Sequence, residues 1–153
     1  MPERLLAPGL YSYDAVEIGD RIETAAVEIT ADAIAAFAAL SGDNFEIHLS
    51  DLGAQYPGFP SQVAHGLLIL SLVDGLKNQC LARFDALASL GWDWTFRKPV
   101  FAGDRIRASL RVEAKRPTSN PLRGILTIGF AVSDQHGVLV QKGQNQLMAY
   151  RQR

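Results

Sequence analysis

Period-two alternation dominates the second half of the chain. From Arg105 to Lys115, Ile106, Ala108, Leu110, Val112 and Ala114 fall on one side and Arg105, Arg107, Ser109, Arg111, Glu113 and Lys115 on the other. That pattern predicts an antiparallel strand with one apolar face, its other face meeting solvent or a charged partner. Before it, Leu90, Trp92, Trp94 and Phe96 alternate with Gly91, Asp93, Thr95 and Arg97, ending near Pro99. After it, the loop Arg116–Pro121 leads to Leu126, Ile128, Phe130 and Val132 alternating with Thr127, Gly129, Ala131 and Ser133. The turn Asp134–Gly137 opens a last strand reaching about Tyr150, with Gly143 a candidate bulge. Short turns between successive strands predict hairpins, hence an antiparallel meander.

The first half reads differently. Arg21 to Ile29 alternates imperfectly through Ile22, Val27 and Ile29 and is expected to form one strand. Thr30 is suited to cap a helix, with Asp32 in the first turn where the helix dipole favours an anion. Ile34, Phe37 and Ala38 recur at i, i+3 and i+4, and Gly42 is a C-terminal stop, which predicts a helix of about three turns. Ala64 to Asn78 is apolar on nearly every side through Leu67, Leu68, Ile69, Leu70, Leu72, Val73 and Leu76. A helix apolar all round is a buried one, and the four long strands are what can cover it. The predicted class is α+β, a curled antiparallel sheet around a central helix.

Size and charge narrow the function classes. At 153 residues the chain is expected to form a single domain over 1–153, burying about 68–70% of its unfolded surface without staples. Fifteen Lys and Arg against sixteen Asp and Glu offer no electrostatic drive toward nucleic acid or an anionic membrane. Cys80 is the one cysteine, so neither an intramolecular disulfide nor a zinc site can be built from thiols. The apolar run Leu67–Val73 is far short of the ~20 residues that span a bilayer. The start, MPERLLAPGL, has no long apolar core followed by a cleavage site, so no signal peptide is read there. A cytoplasmic location is the expectation.

The chemistry-bearing stretch is Ser41-Gly42-Asp43-Asn44-Phe45-Glu46-Ile47-His48, followed by Val63-Ala64-His65-Gly66-Leu67. A carboxylate and an imidazole on one loop can reach the same water, take a proton from it and return one, as addition of water to a double bond requires. Gly66 opens the long helix. Its N–H, unpaired within the helix and at the positive end of the dipole, suits an oxygen gaining negative charge. His65 is expected to satisfy backbone groups near the helix start, His136 to be solvated in a turn, and Cys80 to be a small buried hydrophobe. The basic run Arg105, Arg107, Arg111, Lys115 and Arg116 reads as a solvated strand face, and Trp92 and Trp94 as packing residues.

These residues resemble the MaoC-like family of (R)-specific enoyl-CoA hydratases, whose hot-dog fold wraps an antiparallel sheet around a long helix. The family's loop typically reads Gly-Asp-x-Asn-Pro-x-His-x-Asp, and its helix begins with a small or aliphatic residue and then His-Gly-Met-Leu. Gly42, Asp43 and His48 match, as do His65, Gly66 and Leu68. Phe96 to Asp104 looks like the family's Phe-x-x-Pro-Val-x-x-Gly-Asp turn, so the resemblance runs from about Tyr11 to the C-terminus. Two positions depart: Phe45 and Glu46 stand where the family has Asn and Pro, and the acid after the histidine is shifted to Asp51, which reads as a subfamily with an altered acyl preference.

By that resemblance Asp43 and His48 would hold and activate the catalytic water, and Gly66 N–H would polarise the thioester carbonyl. Phe45, Phe59, Ala64 and Leu67 would bind the acyl substrate. The implied reaction is reversible hydration of a trans-2-enoyl-CoA to an (R)-3-hydroxyacyl-CoA in fatty acid metabolism. Coenzyme A would be part of the substrate, with no separate cofactor and no metal, and the protein would be at least a homodimer. A thioesterase on the same fold, or a non-catalytic acyl-CoA-binding or assembly subunit, are the alternatives.

Overall fold

Three strands in chain order, β6 (Arg105–Pro117), β7 (Arg123–Ser133) and β8 (Leu139–Tyr150), form the centre of the molecule, in a computed structural model that describes residues 3–152. They pair as antiparallel hairpins, as their alternation predicts, with Leu110 opposite Phe130 and Ile128 opposite Asn145. Ile106, Leu110, Val112, Leu126, Ile128, Val132 and Val140 are all fully buried on one face. Burying a side chain of this size contributes about 1.5–3 kcal/mol.

The sheet is not a simple meander. β5 (Ala86–Phe96) precedes β6 in the chain but lies at the far edge beside β8, and with the short β2 (Arg21–Glu23) on β6 the order is β2-β6-β7-β8-β5. The segment 97–104 therefore crosses from the β5 edge past β8 and β7 to reach β6 instead of turning a hairpin. Strand β5 also begins at Ala86, earlier than the alternation from Leu90 indicates, because its register shifts between Ala86 and Ala88 and again between Ser89 and Gly91.

Three further expectations are corrected. The strand expected over Arg21–Ile29 is two short ones, β2 (Arg21–Glu23) and β3 (Val27–Glu28), both on β6. Between them Thr24 is buried and its Oγ1 accepts the Ala108 N–H at 2.9 Å, a side-chain bond standing in for the ladder. The alternation of β6 breaks between Val112 and Ala114: Ala114 is exposed, and Lys115 turns inward to donate to Val16 O at 2.8 Å and sit over the Tyr13 ring. Gly143 is not a bulge. Its pairing with Trp94 and Phe130 is unbroken, and a Cβ there would lie 2.1 Å from Asp93 O, so glycine is what lets the strands approach and the Trp94 and Phe130 rings meet across it.

Helix α1 (Ala31–Ser41) has both predicted caps: Thr30 Oγ1 accepts the Ala33 N–H at 3.0 Å, and Gly42, at φ 81°, donates to Ala38 O. Two short helices that the periodicity does not reveal, α2 (Glu46–Leu49) and α3 (Asp51–Gln55), follow at once. The long helix α4 (Gly66–Gln79) buries Leu68, Ile69 and Val73 in the same core cluster as the strand residues, and Leu76 near its end is buried as well. It is not apolar-buried all round, however. A single sheet covers one side of a helix, and Leu67, on the uncovered flank, is 58% exposed. Short strands β1 (Gly9–Tyr11) and β4 (Ala82–Phe84) pair in parallel near the end of α4. Among the described residues no helix is long and apolar enough to cross a membrane.

Candidate active site

The left-handed turn at Gly42 that stops α1 also sets the direction of Asp43. Asp43 N–H donates to Ser41 Oγ at 3.1 Å, and its Oδ1 accepts the Phe45 N–H at 3.4 Å, an Asx turn that leads into α2. His48 lies on α2 and is only 7% exposed. Its Nδ1 is 2.7 Å from Val63 O. A carbonyl only accepts, so Nδ1 carries the hydrogen, and in the uncharged tautomer this fixes, Nε2 is the nitrogen that offers a lone pair.

The segment before α4 is strapped to this helix. Val63 N–H donates to Ile47 O, Gln62 Nε2 to His48 O, and Ala64 N–H to Val100 O. His65 follows, 1% exposed, with Nε2 at 2.9 Å from Asp43 O. It does satisfy a backbone group, but one on the Asp43 loop and not at the helix start. Its ring stacks on His48 with centroids 3.9 Å apart, and Phe37 of α1 closes its surroundings at 4.9 Å.

Gly66 is the first residue of α4, so its N–H has no carbonyl within the helix to bond. Phe96, from the end of β5, lies over it so closely that a Cβ at position 66 would fall 2.3 Å from Phe96 Cε2. On the other side of that peptide, Gln141 of β8 donates Nε2 to Gly66 O at 3.1 Å and accepts Trp94 Nε1 at 2.8 Å. Gln141 is 1% exposed, so the start of α4 is pinned to the sheet through a buried amide.

Asp43, His48 and Gly66 line one cavity of about 470 Å³, and so do Phe45, Phe59, Ala64 and Leu67. All seven residues named from the sequence are therefore brought together. His65, Phe96 and Gln141 line the same cavity and were not among them, and Arg97 and Lys98 add positive charge to the wall. The histidine before a helix-opening glycine was visible in the sequence, but its partner, 22 residues earlier, was not.

Polar atoms of Asp43, His48 and His65 lie within 4.8 Å of one another. Two ring nitrogens of this trio already donate to carbonyls, and stacked imidazoles aim their remaining in-plane lone pairs side by side and not at one point. The set is thus better matched to moving a proton than to gripping an ion. A carboxylate and an imidazole, opening on an apolar pocket beside a helix N-terminus, can deprotonate water next to an oxygen that gains charge.

Residues 14–133 match the family described as MaoC like domain, and the chain belongs to this MaoC-like hydratase and dehydratase family. The (R)-specific enoyl-CoA hydratase of Aeromonas caviae is 32% identical over 133 residues, covering 87% of this chain and 95% of that protein. The solved structure of a protein from Archaeoglobus fulgidus, described as a monoamine oxidase regulatory protein, superposes with a TM-score of 0.87 at 28% identity, covering 97% of this chain and all of that one. A Mycobacterium tuberculosis protein described as a double hot-dog fold superposes at 0.81 and 22% identity, with 92% of this chain matching 44% of that one. The fold is the hot-dog fold.

Proposed function

We propose that this protein is an (R)-specific enoyl-CoA hydratase. It would add water reversibly to a trans-2-enoyl-CoA thioester to give an (R)-3-hydroxyacyl-CoA. The observation that carries the reading is the convergence of Asp43 and His48 beside the N-terminus of α4 in one cavity. Phe45, Phe59, Ala64 and Leu67 supply that cavity with apolar wall for the acyl group. The similarity to the Aeromonas hydratase supports the same assignment.

In this reading the attacking water is held between the Asp43 carboxylate and His48 Nε2. As His48 takes its proton, the water oxygen bonds to Cβ, the π pair moves to Cα, and the pair returns a proton to Cα from the same face. Charge that builds on the thioester oxygen is met by Gly66 N–H, and a fixed donor of this kind is worth roughly 3–4 kcal/mol. No oxidant or reductant is consumed, so the chemistry needs only these side chains and the thioester's own coenzyme A. We place the enzyme in the cytoplasm as a homodimer, consistent with a free outer edge on β5 among the described residues.

The test mixes the protein with crotonyl-CoA and longer or branched enoyl-CoA esters, following loss of the conjugated chromophore, thiol release and product chirality. Hydration to the R product that is lost in Asp43→Ala and His48→Ala supports the proposal. Hydration undiminished by both removes the assignment. Free thiol would indicate a thioesterase instead, and binding without chromophore loss a non-catalytic acyl-binding subunit.

A further inference from the structure

We propose that Gln141 is a positioning residue: its side-chain amide holds the backbone of Gly66 from the sheet and so aims the Gly66 N–H at the oxygen that gains charge. The inference deepens the hydratase reading and rests on it for its kinetic consequence alone. Three observations carry it. Gln141 is 1% exposed, and burying an amide is costly unless its groups are bonded. Both ends are: Nε2 donates to Gly66 O at 3.1 Å, and Oε1 accepts Trp94 Nε1–H at 2.8 Å. An indole nitrogen only donates and a carbonyl only accepts, so the two partners together leave the amide one orientation, with its NH2 toward Gly66.

A donor at position 66 needs such a hold. Residue 66 is a glycine at the start of a helix, and both conditions leave backbone direction loosely fixed. The Gly66 N–H shares a planar peptide unit with His65 O, which accepts Leu68 N–H at 3.0 Å and Ile69 N–H at 3.3 Å. The helix thus ties the unit before the Gly66 Cα. The unit after it carries Gly66 O and is tied from outside the helix by Gln141. With both units held, the Gly66 dihedrals are set, and the direction of its N–H with them. Strand β5 supplies the rest of the frame. Phe96 is the register partner of Gln141 across β5 and β8, and its ring covers Gly66. Trp94, two residues earlier and on the same face, turns the Gln141 amide. A donor that belongs to a helix end therefore takes its aim from the sheet, the more rigid element.

Two variants separate aiming from mere packing. Gln141→Met keeps the length of the side chain and removes both bonds. Trp94→Phe keeps a ring, removes the indole N–H, and leaves the donor to Gly66 O in place. Carbon-13 shifts and amide hydrogen exchange in the unliganded protein read the start of α4, and steady-state kinetics with crotonyl-CoA read the reaction. In Gln141→Met the Gly66 carbonyl carbon should move upfield, and the Leu68 and Ile69 N–H groups should exchange at least about fivefold faster. Its kcat should fall about tenfold while KM stays within about a factor of two, the mark of an interaction made in the transition state. In Trp94→Phe kcat should fall by no more than about threefold. Equal losses of kcat in the two variants, a native kcat in Gln141→Met, or a raised KM with kcat unchanged each overturn the proposal. If Gln141→Met fails to fold, the native chain decides. Its Gln141 side-chain amide hydrogens should exchange at least about tenfold more slowly than those of an exposed glutamine, and equal rates overturn the proposal. If no enoyl thioester is hydrated, the functional reading fails, while exchange at Leu68 and Ile69 in Gln141→Met still decides whether Gln141 holds the start of α4.

Discussion

A methyl group at position 66 would fall among the atoms of the Phe96 ring, and the ring is the part that can yield because Phe96 is 54% exposed. Gly66→Ala should therefore fold, with the displaced ring swinging across the cavity it lines. Alanine also favours a helix over glycine by up to about 1 kcal/mol, which offsets the cost of moving the ring. The expected outcome is a thermal midpoint within a few degrees of the native protein and hydration of crotonyl-CoA reduced at least tenfold. Adding Phe96→Ala should restore part of the rate; a single variant with full activity would show that the ring does not matter there. Phe45 behaves differently. It is 71% exposed and its ring centroid is 6.4 Å from that of His48, so it is apolar surface at the cavity wall and not core. Phe45→Asn should change stability by no more than about 0.5 kcal/mol and should shift the preferred acyl length, read as the ratio of kcat/KM for crotonyl-CoA to that for a longer enoyl-CoA. An unchanged ratio would exclude Phe45 from acyl selection.

Among the elements, the start of the described chain is held against β2 by the Arg4–Asp20 ion pair and by Glu3 on Arg21. Asp20 is buried, and burial alone would push its carboxyl up. Arg4 reaches it through Nε at 2.9 Å and Nη2 at 2.6 Å, the Glu17 N–H adds a third bond, and the charges of Arg4 and Lys115 act in the same sense, so the net position is below the usual carboxylate range. A carboxyl lowered on folding stabilises the fold above its unfolded value, about pH 3.9, and that contribution is lost as pH falls through its folded value. Asp20→Asn should thus destabilise by about 1–3 kcal/mol near neutrality, and urea titrations should show the difference shrinking in acid below about pH 4. A difference constant with pH would mean that packing, not charge, is at work. Elements of this kind mark where the sequence stops being readable. β6, β7, β8, α1 and α4 were legible because periodicity and caps are local. The placement of β5 beside β8 was not, since alternation gives a strand its faces but not its neighbours. Helices α2 and α3, of four and five residues, are too short to show a period. The site divides along the same line: Asp43, His48 and Gly66 sit in local motifs, whereas His65 and Gln141 became site residues only when distant segments closed on them.

At the scale of the whole molecule, the sheet ends on one side in a strand with an unused edge. β5 runs eleven residues and pairs with β8 alone among the described residues. It carries one charged side chain, Asp93, and no lysine or proline, so it lacks the usual devices that keep edges from pairing. Leu90 falls where the register with β8 shifts and is 51% exposed, an apolar side chain on the flank that a second copy would cover. The same strand ends in Phe96, followed by Arg97 and Lys98 at the cavity, so a partner laid along β5 would stand beside the mouth of that cavity. Assembly and substrate binding should then be coupled. Leu90→Asp places a carboxylate on that flank without touching the core; if the proposed dimer forms along β5, the variant should sediment at the mass of one 16.7 kDa chain and the native protein at twice that. Its thermal midpoint should fall, because a dimer is stabilised by its own association. KM for crotonyl-CoA should rise more than kcat falls, since Asp43, His48 and Gly66 all come from one chain while the mouth would lose a wall. A monomeric variant with unchanged KM would separate the two, leaving the edge as an assembly surface with no part in holding the substrate.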